Sequence, residues 1–272
     1  MALRLQLQAR VEVPLEVDEV LPENLLGKGL GEIERTSILH GNRRAALADF
    51  FRVSGDPADE FLEWEGDLSG VHWIGAKMRT GTIRVCGPAG RHVGSQMRGG
   101  AIDVEGDAGD WVGGEMLGGL IRVRGSAGHL VGGAYRGSAR GMTGGTILVH
   151  GDAGNEVGHG MRRGLVAIGG NTGDLLGFNM LAGSIIVLGP AGMRIGAGMR
   201  RGTLGLFGDP CPVLLPTFRH ACRRRMEVLR LFAATFRRHA FPWPNELAEK
   251  PVDLFNGDML EGGRGELLVR VP

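Results

Sequence analysis

Residues 152–204 read DAGNEVGHGMRRGLVAIGGNTGDLLGFNMLAGSIIVLGPAGMRIGAGMRRGTL, and they align on themselves in units of 19 that begin at Asp152, Asn171 and Pro190. Upstream, two further copies hold the same frame without a gap: DAGDWVGGEMLGGLIRVRG from Asp107 and PAGRHVGSQMRGGAIDVEG from Pro88. The copy from Ser126 to Gly151 is 26 residues long and so carries an insertion of seven, while a degenerate first copy ends at Gly87. Seven copies result. A fixed period of this length is the signature of a solenoid, in which each unit can bury its apolar residues only against its neighbours.

Within the unit the thirteenth residue is always glycine (Gly81, Gly100, Gly119, Gly145, Gly164, Gly183, Gly202), and the fifteenth and seventeenth are aliphatic, as in Ile83 with Val85 or Ile185 with Val187. This alternation predicts a strand after the glycine with one face turned inward. A second inward wall is the sixth position, Ile74, Val93, Val112, Val131, Val157, Leu176 and Ile195. Copies open on Asp-Ala-Gly, Pro-Ala-Gly, Ser-Ala-Gly or Asn-Thr-Gly, tripeptides suited to a β-turn whose glycine takes positive φ. Stacked like over like at ~4.8 Å, the units would form a core about 34 Å long. The expected fold is therefore all-β, a right-handed single-stranded β-helix of seven coils over residues 66–208. A left-handed hexapeptide helix would need multiples of six, which a 19-residue unit breaks.

Residues 1–65 are read as a small N-terminal cap, with Leu3, Leu5 and Leu7 alternating as a strand and Ala45–Val53 and Phe61–Glu65 leading into the first coil. Residues 209–272 form a C-terminal extension in which Ala221–His239 reads as an amphipathic helix: Met226, Leu229, Phe232, Ala233 and Phe236 fall at helical spacing, and PWP at Pro242–Pro244 ends it.

Composition bounds the function. Glycine makes up 49 of 272 residues, against a usual ~7%, without a collagen period, and 43% hydrophobic content excludes a disordered linker. A net charge of +1 gives no global field for nucleic acid or membrane, so neither is expected as a partner. Cys86, Cys211 and Cys222 lack CxxC spacing, which speaks for reduced thiols, and no run of 18 apolar residues occurs. A cytoplasmic protein is the expectation.

A methionine recurs at the tenth position (Met78, Met97, Met116, Met161, Met180 and Met199, with Met142 in the long copy) and is read as core filling rather than a soft-metal ladder. His72, His92, His129, His150 and His159 are scattered over coil positions with no carboxylate in fixed register, so no catalytic or metal ligand role is assigned. Sugar-cleaving β-helices need carboxylate clusters and aromatic platforms, and the coils hold only Trp73, Trp111 and Tyr135 as large aromatics with a polar handle. Arg79, Arg98, Arg162, Arg163, Arg200 and Arg201 occupy the eleventh and twelfth positions and line one edge, which could grip a polyanionic chain or an acidic subunit face. Outward strand residues Arg84, Asp103 and Arg122 alternate in sign, whereas Leu148, Leu165, Ile186, Leu188 and Phe207 make an apolar face too large to leave bare. That face is expected to dock a partner, the alternative being cover by Val213–Leu215 and the helix that follows.

The 152–204 run, with SARGMTGGTILVHGDAG before it, resembles the C-subunit family of formylmethanofuran dehydrogenases, and the coils look like the C-terminal domain of the glutamate synthase large subunit. The likeness covers about residues 1–215; the Arg-rich segment beyond departs from the archaeal pattern and favours the bacterial formyltransferase/hydrolase complex. The resemblance implies a scaffold subunit without catalytic residues of its own. Its implied partners are amidohydrolase-like and formyltransferase subunits, which move formyl from formyl-tetrahydromethanopterin through a methanofuran-type cofactor to formate. A polyglutamyl tail on that cofactor would make Arg162, Arg163, Arg200 and Arg201 its binding residues. The alternatives are the C subunit of a tungsten or molybdenum formylmethanofuran dehydrogenase, or a self-contained β-helix enzyme on a small or sugar substrate.

Overall fold

The computed structural model describes residues 2–271. The N-terminal segment contributes β1 (Leu3–Leu7), β2 (Leu15–Glu16), the short helices α1 (Pro22–Leu25) and α2 (Leu30–Glu34), β3 (Ser37–His40), β4 (Arg43–Ala46), β5 (Phe51–Ser54) and β6 (Phe61–Glu65). The repeats supply β7 (Val71–His72), β8 (Thr82–Cys86), β9 (Ala101–Val104), β10 (Leu120–Val123), β11 (Thr146–Val149), β12 (Leu165–Ile168), β13 (Ser184–Val187) and β14 (Arg201–Leu206). The C-terminal segment adds β15 (Arg219–Arg224), α3 (Val228–Arg238), β16 (Val252–Gly257) and β17 (Arg264–Arg270).

The protein is mostly β. Its main sheet has 13 strands in the order β15-β16-β17-β14-β13-β12-β11-β10-β9-β8-β6-β1-β5. From β1 to β17 every neighbour is parallel, and the register sets each repeat residue against its equivalent: Ile83 on Ile102, Ile121, Ile147, Val166, Ile185 and Leu204 in turn, with Val85, Val104, Val123, Val149, Ile168, Val187 and Leu206 as a second row. Both rows, the sixth-position aliphatics and the seven methionines are fully or almost fully buried in one continuous core. A second parallel ladder of single bridges links the turns, Leu68 to Ala89, Ala108, Ala127, Ala153, Thr172 and Ala191.

The glycines are steric requirements of this stacking. Gly164 has φ +104°, and a Cβ there would lie 2.7 Å from the Gly145 carbonyl oxygen and 2.7 Å from Met142 Cε. Gly94 has φ +62°, and its Cβ would collide with Ile121 Cδ1 of the next repeat. Side-chain acceptors tie the turns together from one repeat to the next: the backbone N–H of Ser126 donates to Asp107, that of His129 to Asp110, that of Asn155 to His129 Nδ1, that of Asp174 to Asn155 and that of Met193 to Asp174, all at 2.7–2.9 Å.

The flanks extend the rows and blunt the ends. Leu3 and Leu5 stack on Leu62 and Trp64, which stack on Ile83 and Val85, while β5 closes this edge antiparallel. At the other end β17 runs parallel to β14, then β16 and β15 turn antiparallel, and Phe218, Leu214 and Leu215 pack onto the core. Two expectations need correction. The helix does not span Ala221–His239: Ala221–Arg224 belong to β15, where the pairing with β16 and the Arg223 fork on Asp253 outweigh helical periodicity, and α3 begins only at Val228. The apolar face of the later repeats is not a partner surface. The outward column runs Glu63, Arg84, Asp103, Arg122 and then Leu148, Ala167, Ile186, and the chain's own Leu229, Phe236, Phe241 and Leu247 cover its apolar part. Leu148 and Ile186 are 0% and Phe207 3% exposed, so burial in the chain itself removes these three from docking, while Leu165 and Leu188 pack half-buried at the margin of the same cluster. Val213 takes no part in this cover and is exposed.

Candidate functional site

Arg162 and Arg163 follow the buried Met161, and Arg200 and Arg201 follow Met199. The corner is set by backbone hydrogen bonds: Arg162 N–H donates to the Met142 carbonyl and Arg200 N–H to the Met180 carbonyl, both at 2.8 Å. With the methionine fixed inside and a left-handed glycine next in chain, the side chains between them leave the core. The intervening repeat has Leu181 and Ala182 at these positions, so the two arginine pairs stand two repeats apart, ~10 Å. Between them lies a groove of about 1040 Å³ with Leu181, Ala182 and Gly183 among its lining residues.

The structure adds three charged residues that sequence reasoning missed. Arg140, in the seven-residue insertion, and Arg264, on β17, also line the groove, and Glu261 engages Arg200 with Nε to Oε2 at 3.1 Å. Arg264 is the register partner of Arg201 on the adjacent strand, which no local pattern announces. The insertion in the long copy was the available signal for Arg140. Arg79 and Arg98 lie outside the groove; the Arg79 backbone N–H instead donates to the Glu23 carboxylate of α1 at 2.8 Å. Six exposed guanidiniums against one carboxylate give the groove an excess of positive charge, and each free fork is able to take a carboxylate bidentately.

On the earlier repeats the fifth-position residues Trp73, His92 and Trp111 stack, with ring centroids 4.0 and 5.2 Å apart and planes within 12°. Tyr135, at the start of the insertion, leans on all three, with its hydroxyl 3.4 Å from His92 Nδ1. The three large aromatics noted in the sequence are thus one cluster, joined by a histidine. Burial, then the nearby His72 and Arg91, holds His92 down to about 4, and burial pushes the Tyr135 phenol up to about 12. Both groups are uncharged at neutral pH, which suits packing rather than proton transfer. Other histidines serve the turns: His72 Nδ1 accepts the Arg91 N–H at 3.0 Å and His129 Nδ1 that of Asn155. Among the repeat histidines, His159 does meet a carboxylate against expectation, its Nδ1 lying 2.7 Å from Glu156 three residues earlier.

Similarity to known proteins follows the same frame. The GXGXG motif family model matches residues 71–210. The C subunit of tungsten-containing formylmethanofuran dehydrogenase 2 from Methanothermobacter thermautotrophicus is 42% identical over 86 residues, 30% of this chain and 32% of that protein. The C subunit of molybdenum-containing formylmethanofuran dehydrogenase 1 from Methanosarcina barkeri is 38% identical over 87 residues, 30% of this chain and 29% of that one. The chain therefore matches about a third of the length of these curated relatives. A chain in the crystal structure of the formyltransferase/hydrolase complex (FhcABCD) from Methylorubrum extorquens, solved in complex with methylofuran, is similar over 97% of this chain and 98% of its own, with 30% identity and a TM-score of 0.87. No helix among the described residues is long and apolar enough to cross a membrane.

Proposed function

Because the chain belongs to the GXGXG-motif family, in the group of formylmethanofuran dehydrogenase C subunits, we propose that it is the scaffold subunit of a formyltransferase/hydrolase complex. The observation that carries this reading is the likeness, over nearly the whole of both chains, to a chain of such a complex. In it, amidohydrolase-like and formyltransferase subunits carry formyl from formyl-tetrahydromethanopterin through a methanofuran-type cofactor to formate in a cytoplasmic assembly. This chain contributes a rigid body: a right-handed single-stranded β-helix of seven coils over residues 66–208, capped by residues 1–65 and covered on one side by residues 209–272. The buried parallel rows support that role, since like-on-like stacking leaves little freedom for the surfaces it presents.

The arginine groove fits the tail of such a cofactor. Arg162, Arg163, Arg200 and Arg201, with Arg140 and Arg264, would bind and orient a polyglutamyl chain, while the formyl chemistry belongs to the cofactor and the catalytic subunits. The test is co-expression with the candidate partner subunits. Co-purification of a complex with formyl-transfer activity is expected; activity of the isolated chain on a sugar or small substrate would overturn the scaffold reading. Replacing Arg162, Arg163, Arg200 and Arg201 together by Ser should weaken cofactor retention and lower its salt sensitivity, and full retention with unchanged salt dependence counts against the tail site. The local identity to the dehydrogenase subunits favours a second reading, a subunit of a tungsten or molybdenum formylmethanofuran dehydrogenase. Tungsten or molybdenum in the purified complex, with formate-linked dye reduction, would select it.

A further inference from the structure

We propose that the outer edge of β15 is a strand-addition site for a short, extended, acidic segment of a partner chain. β15 ends the 13-strand order; one side pairs with β16, and on the other no strand lies among the described residues. All its residues except Cys222 are exposed. A free sheet edge offers a row of N–H and C=O groups that any extended chain can complete.

Charge selects the occupant. Arg219, Arg224 and the following Arg225 are exposed, and none forms an ion pair among the described residues, whereas Arg223 is held by Asp253, Nε at 2.9 Å and Nη2 at 2.8 Å. His220 reaches the same carboxylate at 3.1 Å, so Asp253 secures the strand through Arg223 and His220 and leaves the other three guanidiniums exposed. A second copy of this chain is disfavoured: antiparallel self-pairing centred on Ala221 and Cys222 sets Arg219 of one copy against Arg224 of the other, and like charges directly opposed on a ladder repel. Arg219 and Arg224 pair with Asn256 and Val252, four residues apart on β16 and so on one face, and a segment with carboxylates at alternate residues sets them over that face while its backbone completes the ladder. The bulge between His220 and Cys222 interrupts the register. The continuous part is Cys222–Arg224, long enough at ~3.3 Å per residue for about three partner residues. This surface is separate from the arginine groove and does not depend on which complex the chain joins.

The test uses the full chain and a fluorescein-labelled peptide alternating glutamate and valine. Saturable binding is expected, with slowed amide exchange confined to β15. Replacing Arg219 and Arg224 by Ser removes the two cations on that face and should weaken binding about fivefold. Methylating alternate peptide nitrogens keeps the charge and removes the ladder donors, so that peptide should fail to bind. Equal binding of the methylated peptide would mean charge attraction without strand pairing and would overturn the proposal, as would no binding of either peptide, or protection located away from β15.

Discussion

Ile186→Asp tests whether the apolar column belongs to the chain's own C-terminal cover. Ile186 is 0% exposed and lies in a cluster of Leu148, Ala167 and Phe207 beneath Leu229, Phe236, Phe241 and Leu247. Removing the isoleucine forfeits about 2–3 kcal/mol of burial and packing, and the new carboxylate, with only apolar neighbours in the cluster, adds about 1–3 kcal/mol for an unpaired polar group. A total on the order of 3–6 kcal/mol exceeds what a single helix and loop can absorb, yet the parallel ladder behind Ile186 has its own core rows and should survive. The expected result in the isolated chain is release of α3. Trp243, which packs edge-on against Phe207 at 5.7 Å and beside Phe236 at 5.2 Å, should shift its emission to the red, and trypsin should cut rapidly after Arg230, Arg237 and Arg238 while the repeats stay resistant. Leu231→Asp, on the exposed side of the same helix at 69% exposure, should be silent. An Ile186→Asp chain with wild-type emission and proteolysis would refute the assignment of the cover to α3.

Three further outcomes follow from particular residues. Gly164→Val should cost about 3–5 kcal/mol or abolish soluble expression, from strain at positive φ added to the clash with Gly145 and Met142; an unchanged melting temperature would contradict the stacking frame. His92 has a folded pKa of about 4 against 6.5 unfolded, so at intermediate pH the unfolded chain binds the extra proton; stability should be full above pH 6.5 and fall as pH drops towards about 4, more weakly in His92→Gln, as read by denaturant midpoints across that window. Tyr135 is the only tyrosine, so phenolate absorbance reports it alone: its midpoint should lie near 12 in the folded chain and return to about 10 in denaturant, and an unshifted folded midpoint would place it away from the Trp73–His92–Trp111 stack.

What the sequence alone determined is everything that depends on residue i meeting its equivalent one repeat on. The strand after Gly164, the inward Val166 and Ile168, and the buried methionines were all legible, because one fixed spacing brings like residues together in every copy. The change of the outward column from Arg122 to Leu148 was legible too, but not what covers it. That answer required a segment about 40–100 residues downstream to fold back, and its own pattern was ambiguous: Ala221–Arg224 reads as helix until β16 is there to pair with it. The same limit hid Arg264 beside Arg201 and gathered Tyr135, His92 and the two tryptophans into one cluster. These neighbours meet through a register or an insertion loop outside the period, so only the tertiary structure, by choosing which surfaces exclude water together, decided them.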